Sequence, residues 1–145
     1  MITRFEYSIV YFALAKYFEI GAEQKGQFDG RIRHLQRVGL FEHIGKGVKR
    51  KYSLKDAFKF CVAIQLTSLG IEPSNIPGLL SEKFMEILFD LARANRDLKI
   101  CALRPVCGEW SLHIGLAWPL TPHIEFSVGA LLEALEQYLV SRLAA

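Results

Sequence analysis

Apolar and polar positions follow more than one rhythm along this chain, and each change of rhythm marks off a part. Between Phe28 and Val38, Phe28, Ile32 and Leu35 recur at helical spacing and share a side with Gly39. Gln27, Gly30, Arg33, His34 and Arg37 fall on the other side. The spacing predicts a helix with one face to bury and one basic face. Gly39 is placed to end it in the left-handed conformation, so that Leu40 and Phe41 fold back onto the core. Residues 1–20 predict an earlier helix, too rich in aromatic and aliphatic side chains for one narrow stripe and therefore buried, with Gly21 as its C-cap. From Leu54 to Leu69 the chain is apolar nearly all round, which predicts a central helix. Ser53 and Asp56 have the spacing of a capping box at its start, and Gly70 closes it. Pro73, Pro77 and Gly78 allow only a short helix next. Ser81 then caps a helix over Glu82–Ala94, in which Phe84, Ile87, Leu88 and Leu91 form the apolar stripe.

After Asp97 the period drops to two. Trp110, Leu112, Ile114, Leu116 and Trp118 alternate with small or polar residues, which predicts a strand. Leu98–Arg104 supplies a partner strand, and Ile124, Phe126 and Val128 supply a third. Ser127 is placed to cap a last helix running through Leu143. The predicted fold class is α+β: an N-terminal winged helix-turn-helix (residues 1–80), a connector helix (81–96), and a small antiparallel sheet of about three strands with a terminal helix (97–145). The wing is the stretch His43–Tyr52, where two glycines permit a tight turn, Val48 and Tyr52 suit strands, and Lys46, Lys49, Arg50 and Lys51 make a positive tip.

Charge sharpens this picture. The whole chain carries only +3, but between Gln24 and Phe60 ten Lys/Arg face three acids, so this segment carries an excess of seven positive charges and the remainder a net −4. A basic block in an otherwise acidic chain points to an anionic partner. Three cysteines without CxxC spacing imply a reduced, cytoplasmic compartment. The apolar run Tyr7–Ala15 is far shorter than the roughly 18 to 20 residues of a membrane span, so no membrane is expected. Cys101, Cys107, His113 and His123 have no metal-ligand spacing, and Glu109 has no second carboxylate, nucleophile or phosphate loop beside it. Neither a metal, a cofactor nor an enzymatic activity is expected.

The run IRHLQRVGLF, Ile32 to Phe41, resembles the "LRYYERxGLL" signature of the MerR family of DNA-binding regulators, with His34 and Leu35 standing where that family has a tyrosine pair. Arg50, Lys51, Tyr52, Ser53 and Asp56 match its "RxYSxxD", and Leu69, Gly70 and Ile71 its "LGF". The resemblance covers about fifty residues; the chain after Leu80 does not resemble the family's long antiparallel dimer coil. It implies a winged head that binds double-stranded DNA. From the basic face and the wing together, the expected DNA-binding residues are Gln27, Arg31, Arg33, His34, Arg37, Lys46, Lys49, Arg50, Lys51 and Tyr52. A homodimer is expected through Trp110, Leu112, Ile114, Leu116 and Trp118 of the strand and Leu135 and Leu139 of the last helix. The resulting expectation is a sequence-specific, dimeric transcription regulator. The alternatives are a protein-interaction adaptor built on a winged helix and a phage- or recombination-related architectural DNA-binding protein.

Overall fold

The computed structural model describes residues 3–41, 50–103, 109–115 and 123–144. The chain is mixed α and β, with helices packed around two small antiparallel sheets. The first sheet joins β1 (Arg4–Glu6) to β2 (Lys51–Ser53), with Phe5 opposite Tyr52 and both side chains buried. Between them in sequence come α1 (Tyr7–Tyr17) and α2 (Lys25–Arg37), and α3 (Leu54–Ser68) follows directly from β2. The single helix predicted over residues 1–20 is therefore corrected at both ends. Its first turn is a strand, in which Arg4 and Glu6 face water while Phe5 enters the core, an alternation too short to stand out among so many aromatics.

At its other end α1 closes one turn before Gly21. Glu19, with φ of 53°, holds the left-handed position expected of that glycine; Glu19 N donates to Lys16 O (3.2 Å) and Ile20 N to Ala15 O (2.9 Å). That backbone conformation costs a side-chain-bearing residue about 1–2 kcal/mol. Turning Ile20 back towards the core offsets it. The next two helices close with the same hydrogen bonds, at the glycines the sequence predicts. Gly39 has φ of 90° and Leu40 N donates to Leu35 O (3.1 Å); Gly70 has φ of 97° and Ile71 N donates to Leu66 O (3.2 Å). Leu40 and Ile71 are buried, completing the hydrophobic contact of this cap.

The start of α3 is the predicted capping box: Asp56 N donates to Ser53 Oγ (3.1 Å) and Ser53 N to Asp56 Oδ2 (3.0 Å). A 3₁₀ turn (Pro73–Asn75) and the short α4 (Ile76–Leu79) lead to α5 (Glu82–Ala94), which has the predicted bounds and the predicted cap, Phe84 N donating to Ser81 Oγ (3.2 Å). The second sheet has the order β4-β3-β5, with β3 (Lys99–Leu103) between β4 (Ser111–Ile114) and β5 (His123–Ser127). Its helix-facing side carries Ile100 and Ala102, with Leu112, Ile114 and Phe126 on the flanking strands. β4 is shorter than the nine-residue alternation from Trp110 to Trp118, for Gly115 leaves the strand at φ of 109°. The rest of that run lies outside the described residues.

The last helix, α6 (Gly129–Ala144), packs on α1, α3 and α5, so one continuous buried cluster extends from Phe5 through α3 to Leu139. Its first residue permits a close approach. A Cβ on Gly129 would lie 2.2 Å from Asn95 O and 2.4 Å from Arg96 O, inside any permitted contact. Gly129→Ala should therefore force α6 off the end of α5, at a cost of roughly 1–3 kcal/mol. Urea unfolding would measure this as a lower midpoint with an unchanged m-value, and an unchanged midpoint would show that the contact relaxes freely.

Candidate nucleic-acid interface

Helix α2 is held from inside by Phe28, Ile32 and Leu35, all buried. That fixes which residues face out. Gln27, Arg33, His34 and Arg37 are exposed as the helical wheel requires. Arg31 is also exposed but sits on the flank, where its Nη1 donates to Ser68 Oγ (3.0 Å) and ties α2 to α3. Gly26 and Gly30 share the outer line with Arg33 and Arg37. A Cβ at either would meet nothing within 4 Å, so packing does not call for glycine there. Each costs about 0.5–1 kcal/mol relative to alanine and leaves the helix backbone bare on that side.

The only acid of α2 is Asp29, and two neighbours hold it. Tyr11 Oη donates to Oδ1 (2.5 Å) and Lys25 Nζ to Oδ2 (2.9 Å). These bonds, Tyr11 first, hold the Asp29 carboxyl below its ordinary range, and the same contacts raise the Tyr11 hydroxyl and the Lys25 ammonium above theirs. Asp29 thus anchors the start of α2 to α1 while its charge is offset, leaving the outer face positive.

Tyr7 and Tyr11, one turn apart on α1, were not read as site residues from the sequence, where both belong to a stretch read as buried. Tyr7 is partly exposed, its ring centroid 6.1 Å from that of Tyr11 and 6.2 Å from that of Tyr52. Burial, reinforced by Tyr52, Asp29 and Tyr11 and opposed by Arg33, pushes its hydroxyl up to about 12. It is a neutral donor near Arg33. The signal available in the sequence was the choice of Tyr over Phe at two positions one helical turn apart.

Most of the expected wing lies outside the described residues. Lys46 and Lys49 lie outside the described residues, and Lys51 is exposed on β2. Arg50 is half-buried with its guanidinium carbon 4.7 Å from the Phe41 ring centre and 5.6 Å from that of Tyr52. Tyr52 itself is corrected from contact residue to core residue. Its ring is buried among Phe41, Phe60 and Tyr7, because the middle position of this three-residue strand turns inward opposite Phe5.

The expected dimer surface also changes. Leu135 and Leu139 are fully buried within the chain's own core and cannot cover a second copy. Trp110, Leu112 and Ile114 are half-buried against that core, and Leu116 and Trp118 lie outside the described residues. Among the described residues no group of His, Cys, Asp and Glu could hold a metal ion, and no helix is long and apolar enough to cross a membrane. Burial, reinforced by Glu125, raises the Cys101 thiol, and burial alone raises that of Cys61, which leaves both protonated. A scan of protein-family models gives no match for the chain, and neither does a search of curated proteins.

The Asp29 anchor has a pH signature. A carboxyl with a lowered folded-state pKa stabilises the fold at pH values above its unfolded pKa, and the contribution disappears as pH falls through the folded value. The stability difference between the native chain and Asp29→Asn should be constant near neutrality and shrink below about pH 4. Chemical denaturation at a series of pH values measures it, and a difference that persists unchanged in acid would show that the ionised carboxylate is not the anchor.

Proposed function

We propose that this chain is a sequence-specific binder of double-stranded DNA that regulates transcription as a dimer, with α2 as its reading helix. The observation that carries the proposal is the outward face of α2. It presents Gln27, Arg33, His34 and Arg37 to solvent, its one acid is held by Tyr11 and Lys25, and its apolar side is fixed on the core. A rigid basic helix of thirteen residues matches the width of the major groove, where arginine donates a bidentate pair to guanine and glutamine pairs with adenine. The reading is supported by the order strand, two helices, strand, helix in residues 4–68, with β1 paired to β2, which is compatible with the winged head that the sequence resemblance implies.

The test separates base reading from phosphate contact. Sites selected from random duplex would be measured against bulk duplex over a range of salt. Arg33→Ala with Arg37→Ala should weaken binding to the selected site by about 1–3 kcal/mol per lost base contact and weaken bulk binding much less. Replacing Lys49 and Lys51 by Gln should lower affinity for every duplex and flatten the salt dependence by roughly one unit per lost contact. Arg50 is left intact in that variant because its stacking on Phe41 and Tyr52 also supports the fold. An equal loss on all sequences from the arginine pair would remove α2 as the reading helix.

Dimerisation belongs to the same proposal, since joining two heads raises apparent affinity through effective concentration. With Leu135 and Leu139 buried, the apolar surface available for a second copy includes Ile87 and Leu91, exposed one turn apart on α5. Sedimentation at micromolar concentration should give a dimer for the native chain and a monomer for Ile87→Glu. A native monomer would end the dimer proposal.

A further inference from the structure

A helix lying in the major groove meets base edges along its outermost line and leaves the sugar-phosphate strands to its flanks. With side chains it is about 10–12 Å across, and the groove is about 12 Å wide. Phosphate is therefore within reach of residues that stand beside the reading helix, and such contacts fix how the helix is seated. One flank of α2 is built by α1. Tyr11 meets the ring of Phe28 and donates to Asp29, and Tyr7 stands one turn before it.

Tyr7 is 39% exposed, and its ring rests against those of Tyr11 and Tyr52. Both supports are themselves fixed, Tyr11 by its bond to Asp29 and Tyr52 by burial opposite Phe5. These ring contacts need no hydroxyl, and phenylalanine would make them equally well. Among the described residues the Tyr7 hydroxyl makes no hydrogen bond, although it lies close enough to Arg33 for that charge to act on its ionisation. Arg33 likewise makes no ion pair or hydrogen bond among them. The two groups thus stand together at the edge of the basic face, one charged and one neutral, and neither is hydrogen-bonded within the fold. Beside them Gly30 carries no side chain that could hold an approaching strand off.

We infer that Tyr7 is a phosphate-contacting residue of this interface, its hydroxyl donating to one backbone phosphate on the strand that passes along the α1 flank of α2. A phenol suits that place because it donates without carrying charge, and burial keeps it protonated. Unlike a lysine or an arginine it displaces no condensed counterion, so its contribution does not depend on salt. The inference rests on α2 as the reading helix and adds a contact from outside it.

The test is fluorescence anisotropy of the full-length chain with a duplex selected from random sequence and with bulk duplex, over a range of salt. Tyr7→Phe removes the hydroxyl alone, and thermal unfolding verifies that the variant folds as the native chain does. It should bind both duplexes roughly tenfold more weakly, the size of one hydrogen bond to a charged group. Its salt slope should equal that of the native chain, whereas loss of Lys49 and Lys51 flattens the slope. Selected duplexes carrying a single uncharged methylphosphonate should show one position per half-site where the substitution costs the native chain roughly tenfold more than it costs Tyr7→Phe. Native affinity in the folded Tyr7→Phe variant, a changed salt slope, a loss confined to the selected duplex, or a loss that no phosphate position accounts for would overturn the inference and leave α2 as the reading helix. A native chain that binds no duplex would overturn both.

Discussion

Helix α3 carries buried apolar residues on every side. Ala57, Phe58, Phe60, Cys61, Val62, Ala63, Ile64 and Leu66 are all buried, and they point around the whole helix. Exposing even one such stripe would cost about 25 cal/mol for every Å² of apolar surface left in water. The rest of the chain is arranged to supply the covers: α2, β2, α5 and α6 all pack against it. The outward aim of Arg33 and Arg37 follows from this constraint, since α2 must spend Phe28, Ile32 and Leu35 on the core and can turn only its other side outward. The last helix is drawn in for the same reason. A segment that reads locally as a separate sheet with its own helix contributes Leu135 and Leu139 to the common interior.

Aromatic residues do much of the joining. Tyr52 packs against Tyr7, Phe41 and Phe60, and Phe28 meets Tyr11 and Phe18, so β2, α2 and α3 share one set of ring contacts through Tyr7 and Tyr11. Cations lie on the outer faces of these rings, Arg50 and Lys59 over Phe41 and Lys25 over Tyr11. A half-buried arrangement such as Arg50 over Phe41 is worth about 0.5–2 kcal/mol. Such contacts also hold positive charge at fixed places beside α2.

Features set by neighbours in sequence were legible in it. The caps at Gly39, Gly70, Ser53 with Asp56, and Ser81 depend on residues within a turn of one another, and each is where the sequence places it. The outward set Gln27, Arg33, His34 and Arg37 follows from the wheel of a single helix. What was missed depends on distant partners. Strand β1 is defined by Tyr52 and its neighbours almost fifty residues away, and the inward turn of Tyr52 is defined by Phe5. The bond from Arg31 to Ser68, the Tyr11–Asp29 anchor and the burial of Leu135 and Leu139 all cross between elements, so no local period records them. Glu19 failed for another reason: a favourable contact by Ile20 outweighed the backbone preference that marks a glycine as the natural stop.

The pairing of β1 with β2 also bears on the order in which the molecule can be built. Phe5 has no strand partner until Tyr52 has been made, and α1 lacks its cover until α6 follows, more than one hundred residues later. Closing such long loops must be completed before the contacts they permit give any return, which makes these the slow contacts of the fold. During synthesis the segment Tyr7–Tyr17, with its dense run of aromatics, is made well before α6 and is among the last parts to be enclosed. Until then its apolar surface is open to other chains, and a nascent copy of this protein has the most to gain from a chaperone that covers this segment.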